Sequence, residues 1–581
     1  MDFLILAKTF EKMESTSKRL ELTDLLAQLF SNTDVDLMDK VIYLIQGKLR
    51  PDFENVEVGI ADKLIIRILS NLSGLSIQKI QDAYAKYGDL GLVASTILVD
   101  KPQTTLLSND ITVDLVYDTF FKIANLQGSG SQDLKMKYVS SLLHDSSNVE
   151  IRFIIKILLN TLRLGIAENT IMDALSIAQF GNKDRRVDIE IAYNVSSDLG
   201  RVAQHITKFK EKGFKTFKIK LFSPIRSMLA DRIKSEQDAS AKFPSGFAAE
   251  FKIDGERAQI HIKNDTVKIF SRNLKDITSF YPDICDAVKK AFFNEDVILE
   301  AEVVAISQNG DFLPFQELMH RRRKYDIEEM VSKYPICVNF FDILYYKNSG
   351  CLDWEYKERR ELLKEVIPQN DMLRLVPMKV LNSSEQINDF LETSLNSRCE
   401  GLMLKSLDGP YRAGSRGNLW LKLKREYQND LGDSVDLIII GAFFGKGRRT
   451  GMYGTFLLGT YNSDDSICSV CKVGTGFTDE KLDQLYHELS SHVTLQRDPR
   501  IDCAMEPDVW FDPWLVIEIV ASEITISPIH KAAFGLVREG NGLALRFPKF
   551  TGKIRTEKNI EDASSDEEIM ALYKLQIRTK S

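Results

Sequence analysis

The spacing of apolar residues changes character along the chain. Up to about residue 200, apolar residues recur mostly every three or four positions, as in ADKLIIRILSNLSG (61–74) and NVEIRFIIKILLNTLRLG (148–165). This is the period of a helix with one buried face, and each stretch runs into a glycine, a common helix-ending residue. The first part of the chain is therefore predicted to be all-helical.

Beyond the Lys-rich segment that follows Gln204, apolar and polar residues alternate instead. FAAEFKIDG, RAQIHIK, TVKIFS, DVILEAEVVAI and PICVNFFDILYY are typical of strands, while WEYKERRELLKEVI between them is typical of a helix. This mixture predicts an α+β region that ends near Glu426. The chain then turns to short strands separated by glycine turns, such as DLIIIGAFFG, GTFLLGTYN and WLVIEIVASEI. Here we expect a small β-barrel.

A chain of 581 residues is too long for a single core and should form several domains. The changes of pattern predict a helical domain over 1–218, an α+β domain over 219–428 and a β-barrel over 429–581. A hydrophobic content of 44% and a charged content of 27% are ordinary for globular proteins. The net charge of −7 argues against a uniformly basic surface, but basic clusters at 208–222, 320–324 and 445–449 leave local anion binding open.

Neither the termini nor the cysteines indicate export or membrane insertion. No apolar run approaches the roughly 18 residues of a membrane helix, so we expect a cytoplasmic protein, associated with the nucleoid if the source is prokaryotic. Seven scattered cysteines fit reduced thiols. Cys468 and Cys471 form a C-x-x-C, but they stand in a strand-like stretch without a second ligand pair, which disfavours zinc.

Several strands of the α+β region carry charged residues at alternate positions. Glu250, Lys252 and Asp254 are expected to share one strand face, with Gly255 ending the strand. A further strand, VILEAEVVA, places Glu300 and Glu302 on one face, where unpaired buried carboxylates are costly. We expect their cationic partners in LWLKLKRE, which offers Lys422 and Lys424, while CEGLMLKS adds Glu400 and Lys405.

Carboxylates without histidine or cysteine partners suit a hard cation such as Mg²⁺, and Mg²⁺ together with lysine and arginine suits phosphate. This combination predicts nucleotide binding. A P-loop is excluded, because the spacing from Gly441 to Gly445 in GAFFGKGRRTG is one residue short and a glycine follows Lys446.

The stretch KIDGER (252–257) resembles the K-x-D-G-x-R motif of covalent nucleotidyltransferases. Further motifs follow in order: SRN at 271, LEAEVVA at 299, FFDILYY at 340, EGLMLK at 400, WLKLKREY at 420 and LRFPKFTGKIRTEK at 545. This series is similar to that of the ATP-dependent DNA ligases of the archaeal and eukaryotic replicative type. TLRLGIAENTIMDAL in the helical region is similar to the DNA-binding domain of those ligases, and the C-terminal region resembles their OB-fold domain.

The resemblance implies a role for each matching residue. Lys252 is expected to be the nucleophile that forms lysyl-AMP. The expected ATP contacts are Glu250 (adenine), Arg257, Arg272 and Arg416 (ribose or phosphate), Glu302, Phe341 (stacking on adenine), and Lys422 and Lys424 (α-phosphate). Glu302 and Glu400 are the expected metal ligands, and Arg555 and Lys558 the residues that orient pyrophosphate. Two positions depart from the family pattern, since Glu557 replaces an aspartate and Ile253 replaces a tyrosine.

The function that the resemblance implies is the sealing of nicks in duplex DNA during replication, repair and recombination, through lysyl-AMP and then DNA-adenylate. The expected cofactors are ATP and Mg²⁺, or Mn²⁺ in its place. The expected partners are nicked double-stranded DNA and a sliding clamp, with the protein acting as a monomer and without a membrane.

Other interpretations stay open at this point. An RNA-capping guanylyltransferase or an RNA ligase shares the lysine motif, but neither predicts about 200 helical residues ahead of it. An NAD-dependent ligase would carry a cysteine zinc module after the barrel. A non-catalytic DNA-binding scaffold would normally have lost Lys252, Glu302 or Glu400. Without the other motifs, Phe341 would be interpreted as a core residue, and Lys422 and Lys424 as residues of a solvent-exposed strand face. Residues 163–169 could form either a phosphate-binding site or a structural helical hairpin.

Overall fold

The structure, a computed structural model, describes residues 1–99, 110–128, 130–233, 238–239, 242–243, 246–321, 327–424, 434–445, 449, 451–462, 464–494 and 496–578. The described chain divides into two compact units. The first combines Met1–Ile80 with Leu90–Lys424, and the second combines Gln81–Asp89 with the described residues beyond 433. The predicted boundary at 428–429 and parts of the basic clusters at 320–324 and 445–449 lie outside the described residues.

The N-terminal part of the first unit is helical, as the apolar spacing predicts. Helix Asp62–Ser73 ends at Gly74, which adopts a left-handed φ of 73°. Helix Asn148–Leu158 begins with a capping box between Ser147 and Glu150, and it ends well before the predicted Gly165. The helices are α1 Phe3–Glu14, α2 Arg19–Ser31, α3 Met38–Ile45, α4 Asp62–Ser73, α5 Ile77–Tyr87, α6 Leu90–Ile97, α7 Val113–Ala124, α8 Ser131–Asp145, α9 Asn148–Leu158, α10 Glu168–Phe180, α11 Arg186–Ser196, α12 Leu199–Phe209 and α13 Glu211–Phe214.

The α+β region that follows contains two sheets, with strand orders β1-β11-β10-β2-β9 and β4-β3-β5-β6-β7, and β8 also pairs with β6. The strands are β1 Leu229–Arg232, β2 Phe247–Lys252, β3 Glu256–Lys263, β4 Thr266–Ser271, β5 Val297–Ala305, β6 Ile336–Tyr346, β7 Ser349–Gly350, β8 Leu373–Leu375, β9 Met378–Leu381, β10 Gly401–Ser406 and β11 Arg416–Lys424. The helices are α14 Pro282–Ala291, α15 Phe315–Met319, α16 Ile327–Lys333, α17 Tyr356–Val366 and α18 Ser384–Asn396. Strand β2 ends at Lys252 rather than at Gly255, so Asp254 lies in the turn to β3 and not on the predicted strand face.

A fully buried ion pair lies where helix α17 packs on strand β6. Arg359 donates to Asp342 from Nε at 2.7 Å and from Nη2 at 3.1 Å, and both side chains are 0% exposed. Because both charged side chains are buried away from water, their ion pair and hydrogen bonds must offset a large desolvation cost.

Replacing Arg359 by methionine is expected to destabilise the α+β region by about 3–5 kcal/mol, because Asp342 is left buried without its cation. Chemical denaturation of the full chain measures the shift. The control is Lys364→Met on the same helix, which breaks only the exposed pair with Glu361 and should change stability by less than about 1 kcal/mol. Equal unfolding midpoints for the two variants would contradict the importance of the buried pair.

The second unit is built mainly of strands, as predicted for the C-terminal region. The elements are β12 Val435–Phe444, β13 Tyr453–Tyr461, β14 Ile467–Val473, β15 Val493–Thr494, β16 Ile501–Asp502, β17 Val509–Phe511, β18 Val516–Val520, β19 Glu523–Ser527, β20 Gly542–Arg546, β21 Lys549–Ile554, α19 Asp479–Ser490 and α20 Asp566–Arg578. One sheet has the order β15-β17-β12-β13-β14-β16, with β18 joining β12 to β21, and β19 pairs with β20. Cys468 and Cys471 are buried in β14, in agreement with the predicted strand.

Candidate active site

Lys252 lies at the end of strand β2, next to Glu400 and Lys424. In the sheet register Lys252 is opposite Gly401, and Gly401 is opposite Lys424. The Lys252 ammonium forms an ion pair with Glu400 Oε2, and Lys424 Nζ lies 2.7 Å from the same oxygen. The Glu400 N–H donates to the Lys252 carbonyl at 2.8 Å. One carboxylate therefore joins two lysines that come from two different strands.

Position 255, the glycine of the KIDG motif, has no room for a side chain. A Cβ at Gly255 would lie 2.3 Å from the Val303 carbonyl oxygen and 3.0 Å from Glu302 Cγ. A side chain there would push strand β5 away from the turn that follows Lys252. The glycine thus allows Glu302 to approach Lys252.

Three carboxylates surround the lysine pair and differ in their proton affinity. Burial, followed by the charge of Glu400, raises the pKa of Asp254 to about 6. Burial raises the pKa of Glu302 to about 8, although Lys252 and Arg257 act in the opposite direction. Burial also disfavours ionisation of Glu400, but the charges of Lys252 and Lys424 outweigh it and lower its pKa to about 2. At neutral pH Glu400 is therefore firmly ionised and Asp254 mostly ionised, while Glu302 is the carboxyl group whose ionisation a further cation would favour.

The donor set fits a magnesium ion. Oxygen ligands suit Mg²⁺ or Mn²⁺, and Mg²⁺ is usually held by one or two carboxylates together with substrate phosphates. Among the described residues, no three acidic, histidine or cysteine side chains are placed to hold a metal ion by themselves. Glu302 and Glu400 are two carboxylates of the kind that could hold such an ion together with phosphate oxygens of a nucleotide.

Glu250, the predicted adenine contact, is almost fully buried and has three internal partners. Its carboxylate pairs with Lys405 Nζ at 2.6 Å and with Arg360 Nη1 at 3.3 Å, and it accepts a hydrogen bond from the Tyr356 hydroxyl. The Lys405 ammonium also lies 4.3 Å from the centre of the Trp420 ring. These three partners hold the carboxylate in one orientation.

Arg257, a predicted ribose or phosphate contact, pairs with Glu300. Its Nη2 reaches Glu300 Oε2, and its Nη1 donates to the Met228 carbonyl at 2.8 Å. Glu300 is 0% exposed. The expectation that Lys422 and Lys424 supply the cation for Glu300 is therefore wrong, because Arg257 on the neighbouring strand β3 is directly within reach and Lys424 pairs with Glu400.

Phe341, the predicted adenine-stacking ring, lies on β6, is 9% exposed and packs in a hydrophobic core with residues of β2, β10 and β11. Its ring packs edge-on against Trp420 at 6.2 Å between centroids, and the Arg257 guanidinium lies 5.3 Å from its centre. The ring thus lies close to Arg257, one of the predicted nucleotide contacts.

Lys422 and Arg416 lie on β11, the strand that also carries Lys424. Arg416 starts the strand and is exposed. Burial lowers the pKa of Lys422 to about 8, helped by the positive charges of Arg232 and Lys252. This strand therefore presents a concentration of positive charge beside Lys252, which suits an anionic ligand.

Arg272 belongs to the first unit, whereas Arg555 and Lys558 belong to the second. Arg272 follows strand β4 and lines a cavity of about 430 Å³, together with Glu168 and Arg226 among others. In the second unit, Arg555 Nη1 pairs with Glu518 at 2.8 Å and Lys558 Nζ pairs with Asp436 at 2.7 Å. Glu557, the residue that departs from the family pattern, pairs with Arg555 at 2.8 Å.

The sequence interpretation missed the buried polar partners on helix α17. Tyr356, Arg359 and Arg360 all face the interior and bind Glu250 or Asp342. A signal for them exists, because 356, 359, 360 and 363 have the i, i+3, i+4, i+7 spacing of a buried helix face, with Leu363 as its apolar member. Two arginines on such a face predict buried carboxylate partners.

The chain matches three family models in order along its length. Residues 2–176 match "DNA ligase N terminus", 227–424 match "ATP dependent DNA ligase domain" and 449–558 match "ATP dependent DNA ligase C terminal region". The chain is 60% identical to a DNA ligase of Nitrosopumilus maritimus over 575 residues, covering 99% of this chain and 98% of that protein. It is 40% identical to a DNA ligase of Saccharolobus solfataricus over 592 residues, covering 100% and 98%.

The fold comparison agrees with the sequence comparisons. The solved structure titled "Pmar-Lig_PreS3" superposes with a TM-score of 0.55 at 17% identity, covering 94% of this chain and 99% of that one, which shows a shared fold. The fold and the lysine motif define a nucleotidyltransferase. The chain belongs to the ATP-dependent DNA ligase family. It is an enzyme that uses ATP to seal nicks in DNA, the function of that family in replication and repair.

No helix in the described part of the chain is long and apolar enough to cross a membrane.

Proposed function

We propose that Lys252 is the nucleophile with which this ligase takes AMP from ATP. The observation that carries the proposal is the position of its nitrogen at the end of β2, paired with a carboxylate that also binds Lys424. After leaving that pair and losing its proton, the amine attacks the α-phosphorus of ATP. A phosphorus–nitrogen bond forms as the bond to pyrophosphate breaks, giving lysyl-AMP.

The two later steps use the same positive surface. The 5′-phosphate at a nick attacks the AMP phosphorus and releases Lys252, and the adjacent 3′-hydroxyl then attacks the 5′-phosphorus and releases AMP. Both are in-line displacements, so catalysis rests on positioning and charge neutralisation. We assign the α-phosphate to Lys422 and Lys424, the ribose and remaining phosphates to Arg257, Arg272 and Arg416, and the pyrophosphate to Arg555 and Lys558.

We assign Glu302 and Glu400 to the metal ion, which is Mg²⁺ or Mn²⁺. When bound, the ion neutralises phosphate charge and polarises the phosphate that is attacked. The raised pKa of Glu302 supports this assignment, since a buried carboxylate gains from a neighbouring cation. Phe341 is proposed to stack on adenine because its ring lies close to Arg257 and Trp420. Glu250 is proposed as the adenine contact because it lies two positions before Lys252 on strand β2 and three partners hold its carboxylate in place.

We propose an all-helical DNA-binding domain over 1–218, an adenylation domain over 219–428 and an OB-fold domain over 429–581. Duplex binding by all three would use phosphate contacts without base reading, since a nick occurs at any sequence. We also propose that the protein acts as a monomer and binds a sliding clamp.

The experiment is a nick-sealing assay on duplexes that differ only in the sequence flanking the nick. With ATP and Mg²⁺ the full chain should seal each duplex at a similar rate, and sealing should fall steeply as salt increases, because phosphate contacts release counterions. NAD and GTP serve as comparison nucleotides. Sealing with NAD but not ATP, or sealing of RNA alone, would contradict the proposed function.

A further inference from the structure

A short segment connects the helical region to the catalytic sheets and is bound on two sides. Residues 222–228, FSPIRSM, lie between helix α13, which ends at Phe214, and strand β1, which they directly precede, and we call this segment the strap. Ile225 and Met228 anchor it in the core, since they are 0% and 1% exposed. Its backbone groups bind side chains that come from both the sheet and the helices, so the strap is fixed in position on two sides.

The side of the strap that faces the sheet is bound by alternate residues of strand β3. Alternate residues of a strand share one face, so positions 257, 259 and 261 point together toward the strap. Gln259 makes the central contact, accepting from the Ile225 N–H at 2.8 Å and donating to the Ile225 carbonyl at 2.9 Å. The flanking contacts are the Phe222 N–H with His261 Nδ1 at 3.0 Å and Arg257 Nη1 with the Met228 carbonyl at 2.8 Å.

These contacts form one continuous hydrogen-bonded network with Arg257. Burial lowers the pKa of His261 to about 3, so its imidazole is neutral. Because Nδ1 accepts from the strap, Nε2 carries the proton and donates to Gln259 Oε1 at 2.8 Å. Gln259 Nε2 in turn donates to Glu300 at 3.1 Å, and Glu300 pairs with Arg257. A shift of the strap would therefore leave several buried polar groups without partners.

The other side of the strap is bound by the helical region, with Arg226 as the main contact. The backbone N–H of Arg226 donates to the Asn194 carbonyl at 2.8 Å, and its side-chain Nη2 pairs with Glu168 at 2.9 Å. Its guanidinium lies over the Tyr193 ring, 4.5 Å from the centre. Two serine contacts complete this side: Ser223 Oγ to the Ser196 carbonyl at 2.8 Å and Ser197 Oγ to the Pro224 carbonyl at 2.6 Å.

We propose that Arg226 and Gln259 are positioning residues of the adenylation step, which fasten the strap on its two sides so that the helical region sets the position of Arg257. The proposal rests on the proposed function, in which Arg257 contacts the nucleotide. The helical region thereby contributes to ATP binding through contacts that never touch ATP.

The test measures covalent AMP labelling of the full chain without DNA, over a range of ATP concentrations. Arg226→Gln and Gln259→Met should each raise the ATP concentration that gives half the maximal labelling rate, called KM here, by about fivefold, the equivalent of one lost hydrogen bond, with a smaller change in the maximal labelling rate. The double variant should show less than the product of the single effects, because both substitutions act through the same strap. A purely structural role would lower the unfolding temperature but leave KM unchanged.

The matched control is Glu57→Gln. Glu57 pairs with Lys275 at 2.8 Å, which also links the helical and catalytic regions, but this exposed contact lies outside the strap. Its substitution should leave KM unchanged. A double variant with Gln259→Met should have the same KM as Gln259→Met alone. An unchanged KM in Arg226→Gln, with labelling that still needs Lys252, would overturn the inference and leave the proposed function intact. Labelling that does not need Lys252 would overturn the proposed function instead.

Discussion

Replacing Lys252 by alanine is expected to lower covalent AMP transfer from ATP by at least about 10³-fold, because the substitution removes the attacking nitrogen. Sealing of a nick that already carries AMP on its 5′-phosphate should continue, since that step does not consume the lysine. Single-turnover assays with labelled ATP and with pre-adenylated nicked DNA measure the two steps separately.

The control for Lys252→Ala is Lys379→Ala. Lys379 is an exposed residue on β9, the strand next to β2 in the same sheet. Its loss should leave both steps near the rate of the unsubstituted protein. Equal loss of both steps in Lys252→Ala would indicate that the substitution disturbs the fold, and full labelling would contradict the assignment of the nucleophile.

Glu400→Gln is expected to lower AMP transfer by about 10²-fold, a magnitude typical for the loss of one charge-stabilising group at a reacting centre. The neutral amide keeps the shape of the side chain but no longer offers a charged ligand to a cation. It also removes the charge that pairs with Lys252 and Lys424. The rate should therefore need more Mg²⁺ to reach its maximum, which a titration of the metal measures directly.

Glu385→Gln provides the comparison for this variant. Glu385 is exposed on helix α18, and its neutralisation should change neither the rate nor the Mg²⁺ dependence. A Glu400→Gln protein that keeps the Mg²⁺ dependence of the unsubstituted protein, whatever its rate, would remove Glu400 from the metal site.

Periodicity along the chain predicts most of the regular structure, because each element buries one face. RAQIHIK and TVKIFS form β3 and β4, and WEYKERRELLKEVI forms α17. The ends of elements are predicted less well. The helix that starts at Asn148 ends at Leu158 although helical spacing continues, and β2 ends before Gly255 because the turn must bring Asp254 toward Glu400.

The candidate site is only partly predictable, because a sequence shows which charges exist but not which ones meet. The register that sets Lys252 opposite Gly401, and Gly401 opposite Lys424, decides that Glu400 lies between the two lysines. The sequence pairs Glu300 with the wrong cations because it does not show the register of β3 with β5, which brings Arg257 close to Glu300. It also does not show the partners of Glu250 on helix α17. Strand periodicity gives the face of a residue, whereas its partner depends on the neighbouring strand.

The most direct test of the account is to locate the AMP. The full chain, first stripped of bound AMP, is incubated with Mg²⁺ and ATP labelled at the α-phosphate, digested, and mapped by mass spectrometry, with a second portion mixed with nicked DNA before digestion. We expect AMP on the peptide that contains Lys252, and its disappearance once nicked DNA is added. AMP on a different residue, or none at all on folded protein, would contradict it.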